Sequence, residues 1–362
     1  MALNTELSDT QCIPLLLHPH LWIVLILEIV ISAVSMLLNC GCTVGSYYAL
    51  PIPFYHRRAF AIISLNYAFL AAILLAKKCF FVFAVHYPCI SIVSTISCKL
   101  QEFPTVFVYL HASILPLVFA AVCVGKKRNR NEKGGSTDWT NACSIQQTTI
   151  LLLCIGISLI FTAFDQDFAR RLLLKCSIVV AIQQKNVAFW LITFLVIAHC
   201  LSALFWQIIG VNSRASFRIS NGMSRKRPVA FDANLLTWRL SFRDIILFES
   251  IAWLVALFFT GVTMVEQFVS VRECVKCTIF AIEMCFTFLP LLVSLCHPIM
   301  STWLLIPVRR TLLELFPLLG KFIPAPEAET PPLPPRTKCV QLPNSSIRIL
   351  ITETGAHNEL SN

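Results

Sequence analysis

Charge is what this chain has least of: Asp, Glu, Lys and Arg make up 13% of its 362 residues, about half the share usual in a soluble domain. Hydrophobic residues reach 57% and the mean hydropathy is +0.74. That balance excludes an ordinary water-facing globule, because no soluble core absorbs so much apolar surface. Lipid is the solvent that fits. Catalytic signatures are missing too: there is no H-E-x-x-H, no phosphate-binding glycine loop and no G-x-S-x-G, so no enzyme is expected. Residues 1–20 contain no Lys or Arg. Without that basic stretch the first apolar run reads as a signal anchor rather than a cleaved signal peptide. The net charge of +10 does not point to nucleic acid, since the basic residues sit between apolar runs with no interleaved aromatic surface.

What is there is a series of apolar runs: 21–46, 59–85, 104–124, 148–164, 186–210, 244–268 and 278–304. A bilayer core of about 30 Å needs roughly 20 apolar residues in a helix, and helix is the state that satisfies the backbone in lipid. The expected fold is an all-α membrane protein, a seven-transmembrane helix bundle over 21–304. The fourth run is the shortest. Lys77 and Lys78 interrupt the second, so its embedded part is expected to end near Ala76, with 79–103 as an outer loop. Half of the sixteen cysteines, among them Cys40, Cys42, Cys154, Cys200, Cys285 and Cys296, fall within the runs, where a thiol packs as a small hydrophobe.

Fourteen Lys and Arg fall in the segments that become inner loops if residues 1–20 are outside, against nine in the outer ones. The positive-inside rule therefore favours an extracellular amino terminus and a cytoplasmic carboxyl terminus. Past the last run, Val308, Leu312, Leu315 and Phe316 make one apolar stripe after Pro307, which predicts a short interfacial amphipathic helix within 305–323. The tail, 324–362, is proline-rich and is expected to be disordered and cytoplasmic. Pro331, Pro334 and Arg336 fit a P-x-x-P-x-R ligand for an SH3-type domain; a plain linker is the simpler account. The sequon Asn344-Ser-Ser346 falls in the same tail and is not expected to carry glycan.

Seven spans, a basic third inner loop and an interfacial eighth helix resemble a G-protein-coupled receptor. The chain looks most like the nematode serpentine chemoreceptors of the Sra/Sre-like group. Two stretches carry the likeness: Leu240-Ser-Phe-Arg-Asp-Ile-Ile-Leu-Phe-Glu-Ser250, similar to an LS-x-R-x-Q-x-x-E-N pattern, and Cys296-His-Pro-Ile-Met300. In the second, His297-Pro298 stands where rhodopsin-like receptors have Asn-Pro, which makes these residues candidates for a switch. Span three ends Cys123-Val-Gly-Lys-Lys-Arg128 without an acidic-Arg-aromatic triplet, and span six reads Leu257-Phe-Phe-Thr-Gly261 without Cys-Trp-x-Pro. The rhodopsin-type switch therefore does not carry over. The resemblance also implies a disulfide between Cys98, before span three, and Cys176, in the second outer loop; Cys89 is an alternative to Cys98. Heterotrimeric G protein is the implied partner, with Lys126, Lys127, Arg128, Arg239 and Arg243 as candidate contacts, although basic juxtamembrane clusters also attract anionic lipid.

Charges within spans are costly and mark candidate sites. Glu28 in span one and Glu283 in span seven would lie at similar depth on neighbouring helices, as an acidic rim for a cationic group or as carboxyls turned to the interface. His111 and His199 are mid-membrane and, with Tyr109, Trp190 and Phe194, would line a mostly apolar pocket; each histidine equally suits a hydrogen-bonded packing role. Asn39 and Asn66, at equal depth on spans one and two, suit an interhelical hydrogen bond. Cys274-Val-Lys-Cys277 lacks the second ligand pair of a zinc site, and no metal or cofactor is expected. The expected function is a plasma-membrane chemosensory receptor for a small ligand. The alternatives are a multi-pass transporter using Glu28 or Glu283, or an inverted-topology ligand-gated channel with a cytoplasmic amino terminus.

Overall fold

The computed structural model describes residues 19–50, 52, 54–86, 93–128, 138–163, 172–173, 185–223, 229–269, 275–321, 336–341 and 348–353. Side chains are described for 22–50, 52, 54, 56–83, 96–121, 147–159, 189–211, 240–262 and 287–321. Eight α-helices are found among these residues: α1 (Pro19–Tyr48), α2 (Phe54–His86), α3 (Thr95–Arg128), α4 (Asp138–Ala163), α5 (Lys185–Met223), α6 (Val229–Val269), α7 (Val275–Leu304) and α8 (Ile306–Leu315). A 3-10 turn, Pro317–Lys321, follows. Six of them, α1, α2, α3, α5, α6 and α7, are long and apolar enough to cross a membrane. The chain is a multi-pass helical membrane protein. For α4 the described apolar part is Gln147–Leu159, about 20 Å at 1.5 Å per residue.

The helices pack as one bundle. Helix α1 lies against α2, α7 and α8; α3 against α2, α4 and α5; α6 against α5 and α7; and α2 also meets α7. The interior is layered. Leu70, Leu74, Leu110, Leu191, Leu195, Tyr109 and Trp253 fill the middle, and Phe60, Phe119, Trp206 and Phe242 fill the end where α2 begins. Large apolar side chains such as Ile23, Leu37, Phe69, Leu204 and Phe258 point outward, the inverse of a soluble protein and the arrangement lipid favours. Pro104 and Pro116 sit within α3, and Pro290 and Pro298 within α7.

One expectation needs correction: 79–103 is not an outer loop throughout, since α2 continues to His86 and α3 already begins at Thr95. The reason is that Lys77 and Lys78 turn inward to carboxylates instead of ending the helix. Helices α5 and α6 reach 39 and 41 residues, about 60 Å each, so they carry helix well into the third loop. Of the stripe after Pro307, Val308 and Leu312 are buried on α1 while Leu315 and Phe316 stay 44% exposed. Within the tail, Arg336–Gln341 (β1) and Arg348–Glu353 (β2) pair antiparallel. Val340, Ile349 and Ile351 supply the β-branched character that favours a ladder over a coil.

Candidate functional site

The polar residues of α1 are spaced in a way that only a helix reveals. Glu28, Ser32, Ser35, Asn39, Cys42 and Ser46 recur at alternating steps of four and three, and all six are buried, none more than 2% exposed. Such spacing places them on one stripe, which runs about 27 Å from Glu28 to Ser46. The stripe faces α2 and α7. At its Glu28 end Lys78 Nζ lies 2.7 Å from Glu28 Oε2. Midway, Ser35 Oγ meets Ser294 Oγ at 2.8 Å. Asn39 Nδ2 donates to Ser294 O and to Ser35 O, each at 2.8 Å. Glu28 Oε1, Ser32 Oγ and Asn39 Oδ1 are buried on this stripe with no partner among the described residues.

At the Cys42 end of the stripe lies a buried polar cluster centred on His297. The imidazole of His297 on α7 is fully buried, with Nδ1 hydrogen-bonded to Glu249 Oε1 on α6. A carboxylate only accepts, so Nδ1 carries the proton and donates. The other ring nitrogen, Nε2, is 2.8 Å from Ser64 Oγ on α2, and Ser64 Oγ is 3.5 Å from Cys42 Sγ on α1. The second carboxylate oxygen, Glu249 Oε2, accepts from Tyr67 OH at 3.2 Å. Trp253 Nε1 in turn donates to Tyr67 OH at 3.1 Å. Four helices, α1, α2, α6 and α7, thus close on one Glu–His pair. Both lone-pair faces of the carboxylate are used, which is what makes its burial tolerable.

This cluster touches two further layers. On one side, Trp253 stacks on His199 with centroids 5.4 Å apart, and His199 Nε2 meets Ser113 Oγ at 2.9 Å. On the side where α2 begins, Phe60 packs on His297 at 5.2 Å and on Phe242 at 5.1 Å. Phe242 belongs to a plug with Phe119 and Trp206, every pair within 5.5 Å. Trp206 Nε1 donates to Pro116 O at 3.2 Å, which ties α5 to α3 across the plug.

The residues singled out from the sequence disperse around this centre. Glu28 faces Lys78, so the acidic rim for a cation is met by the chain's own ammonium; the Glu283 side chain lies outside the described residues. His111 Nδ1 meets Asn66 Oδ1 at 2.9 Å, so Asn66 turns to α3 and Asn39 to α7 rather than to each other. His199 is in the core, whereas Trp190 is 64% exposed and faces away from both histidines' layer. His297 is at the centre, and Pro298 is next to it within α7. Arg243 pairs with Asp244 at 2.5 Å and lies against Gly210 of α5. The side chains of Lys126, Lys127, Arg128 and Arg239 lie outside the described residues. So do Cys176 and the Pro331–Pro334 part of the SH3-type motif. Cys98 is buried and is not among the free thiols. Ser94 pairs with Leu172 and Val93 with Leu173, which sets the backbone leading to Cys98 beside the backbone leading to Cys176.

Sequence reasoning missed Glu249, Tyr67, Trp253 and Ser64. A signal was present: Glu249 is a carboxylate in the middle of an apolar run, the kind of residue that marks a site in a membrane helix. Lys77 was also misjudged, since its ammonium lies 2.5 Å from both Glu102 Oε2 and Thr105 Oγ1.

No protein-family model matches the chain. It is similar to a Caenorhabditis elegans protein designated "Uncharacterized protein T09B9.5", with 29% identity over 330 residues, 91% of this chain and 86% of that protein.

Proposed function

We propose that this protein is a seven-transmembrane receptor of the plasma membrane that binds a small ligand in the outer half of its bundle and signals through a heterotrimeric G protein. In this reading α4 is the remaining span, the amino terminus is extracellular and α8 lies in the inner interface. The observation that carries the reading is the Glu249–His297 hydrogen bond. It fastens α6 to α7 and sits directly on the Phe60–Phe242–Trp206–Phe119 plug. A receptor needs an element with two arrangements that a ligand can bias, and it can be biased only by a difference in affinity. Ligand-dependent movement of Trp253 or His199 would reach the pair through Tyr67, and separation of α6 from α7 would open the inner end. Lys126, Lys127, Arg128, Arg239 and Arg243 are the basic residues there for a G protein to meet. A Cys98–Cys176 disulfide would hold the outer loop over the ligand entrance.

The test is expression with each class of G protein and a screen of small molecules for activation. A responding ligand is expected, and Glu249→Gln is expected to raise ligand-independent activation by loosening α6. A surface-expressed protein silent with every G protein, with Glu249→Gln equally silent, overturns the reading. The α1 stripe supports a second reading, a transporter that moves protons or small cations past Glu28 and the Glu249–His297 pair. It predicts flux into vesicles that falls on Glu28→Gln, which a receptor does not give.

A further inference from the structure

Four arginines lie at one end of the bundle. Arg57 and Arg58 occupy the first turns of α2, and Arg309 and Arg310 those of α8. The chain's own connectivity puts all four at that end. Helix α1 ends where α2 begins, α7 ends where α8 begins, and α8 folds back so that Leu312 packs on Gly41 and Gly45 near the end of α1. Among the described residues none of the four pairs with a carboxylate. The acid on α8, Glu314, is exposed, four residues beyond Arg310. Arg57 Cζ is 5.6 Å from the centroid of the Phe54 ring.

Two of these guanidiniums are set unlike ordinary surface arginines. Arg57 Nε and Arg309 Nε are buried and have no hydrogen-bond acceptor among the described residues. A guanidinium edge made of Nε–H and a terminal N–H matches two oxygens of one phosphate, and a buried donor left unmet is costly. The surroundings fix the kind of molecule that carries the phosphate. Tyr47, Tyr48, Phe54, Trp303 and Phe316 are each 44–64% exposed at this same end, as aromatic side chains are at the headgroup level of a bilayer. Leu50 and Leu318 are exposed to 80% and 76% beside them. From Arg57 to Lys78 is 21 residues of helix, about 31 Å, so the arginines fall at one edge of the hydrocarbon core and the lysines at the other.

We propose that Arg57, Arg58, Arg309 and Arg310 form a binding site for the headgroup of an anionic membrane phospholipid that bears phosphate monoesters. Its phosphates engage the Nε edges of Arg57 and Arg309, and its acyl chains lie along the exposed aliphatic flank of α1. Four cations without counter-ions suit several negative charges better than the single diester of a common lipid.

The full-length protein is purified and reconstituted into nanodiscs of phosphatidylcholine alone, with phosphatidylinositol 4,5-bisphosphate, or with phosphatidylserine at equal total charge. The thermal midpoint and the lipid retained in native mass spectrometry are read for each. The bisphosphate lipid is expected to raise the midpoint and to be retained about tenfold over phosphatidylserine, consistent with charge-assisted phosphate contacts. The double variant Arg57→Lys/Arg309→Lys keeps the charge but has no Nε–H edge, and is expected to lose that preference. Arg58→Lys/Arg310→Lys, with no buried Nε to satisfy, is expected to keep it. Equal retention of the two lipids, or identical behaviour of the two double variants, overturns the proposal. So does binding of soluble inositol trisphosphate as tight as that of the lipid, since the site would then not be a membrane one. The midpoint in phosphatidylcholine alone separates a misfolded variant from one that has lost the lipid.

Discussion

Removing the Glu249 carboxylate would leave the Nδ1–H of His297 buried and aimed at nothing, while Tyr67 OH would lose its acceptor. Breaking one side of such a pair generally costs about 3–5 kcal/mol, most of it the penalty on the group left behind. Glu249→Ala and His297→Ala are therefore each expected to lower stability in detergent by that order. The double variant should cost less than the sum by about 0.5–3 kcal/mol, because the second change removes the orphan created by the first. Thermal or denaturant unfolding of the four proteins measures this, and strict additivity would mean the two side chains do not interact. The histidines explain why the sequence alone went astray at this scale. His111 and His199 were legible as polar residues in apolar helices, and both find a single hydrogen-bond partner, Asn66 and Ser113. Nothing in the spacing distinguished them from His297, because the difference lies in a partner 48 residues away on another helix.

Elements were legible where lipid dictates them and less so where packing does. The apolar runs fixed the existence of α1, α2, α3, α5, α6 and α7, since a run of that length has no other way to satisfy its backbone in hydrocarbon. Their rotation about their own axes was not fixed. Asn39 and Asn66 were placed at matching depth, but α1 presents Asn39 to Ser294 and α2 presents Asn66 to His111. Close approaches between elements show the same dependence on packing. A Cβ added at Gly45 would lie 2.6 Å from Leu312 Cγ, whereas one at Gly210 would lie 2.5 Å from Arg243 Cδ. Leu312 is 3% exposed and pinned between α8 and α1; Arg243 is a long chain at the edge that pairs with the exposed Asp244. Gly45→Ala is thus expected to cost about 1–3 kcal/mol, as overpacking does, and to lift α8 from α1. Gly210→Ala should cost less, since the arginine can swing away. Melting temperatures rank the two, and a fluorophore on α8 quenched from α1 reports the displacement; the reverse ranking would mean α8 is not held by Leu312.

For the whole molecule, the side of the membrane on which each segment lies depends on α4. Six of the helices are long and apolar enough to cross, and six crossings would leave both termini on one side, whereas a seventh puts them on opposite sides. The described apolar stretch of α4 is only Gln147–Leu159, about 20 Å of helix against a core of about 30 Å. The complete helix, Asp138–Ala163, has 26 residues and reaches about 39 Å, with Asp138 and Asn141 at one end to meet water. The basic residues argue for the crossing, because Lys126, Lys127 and Arg128 precede α4 and the positive-inside rule holds that side in the cytoplasm. Glycosylation acceptors introduced by short insertions at 87–92, 129–137 and 174–184 would decide it. With seven crossings and an outer amino terminus, the first and third are expected to acquire glycan, while the second and the native Asn344 do not. Modification at 129–137 and at Asn344, with none at 87–92 or 174–184, would invert the protein and favour the channel alternative. Glycan on Asn344 together with 87–92, and none at 174–184, would leave α4 on the cytoplasmic side and put Arg309 and Arg310 on the opposite face from Arg57 and Arg58. That outcome runs against the packing of Leu312 on Gly45 near the end of α1, and would overturn both the receptor and the lipid site.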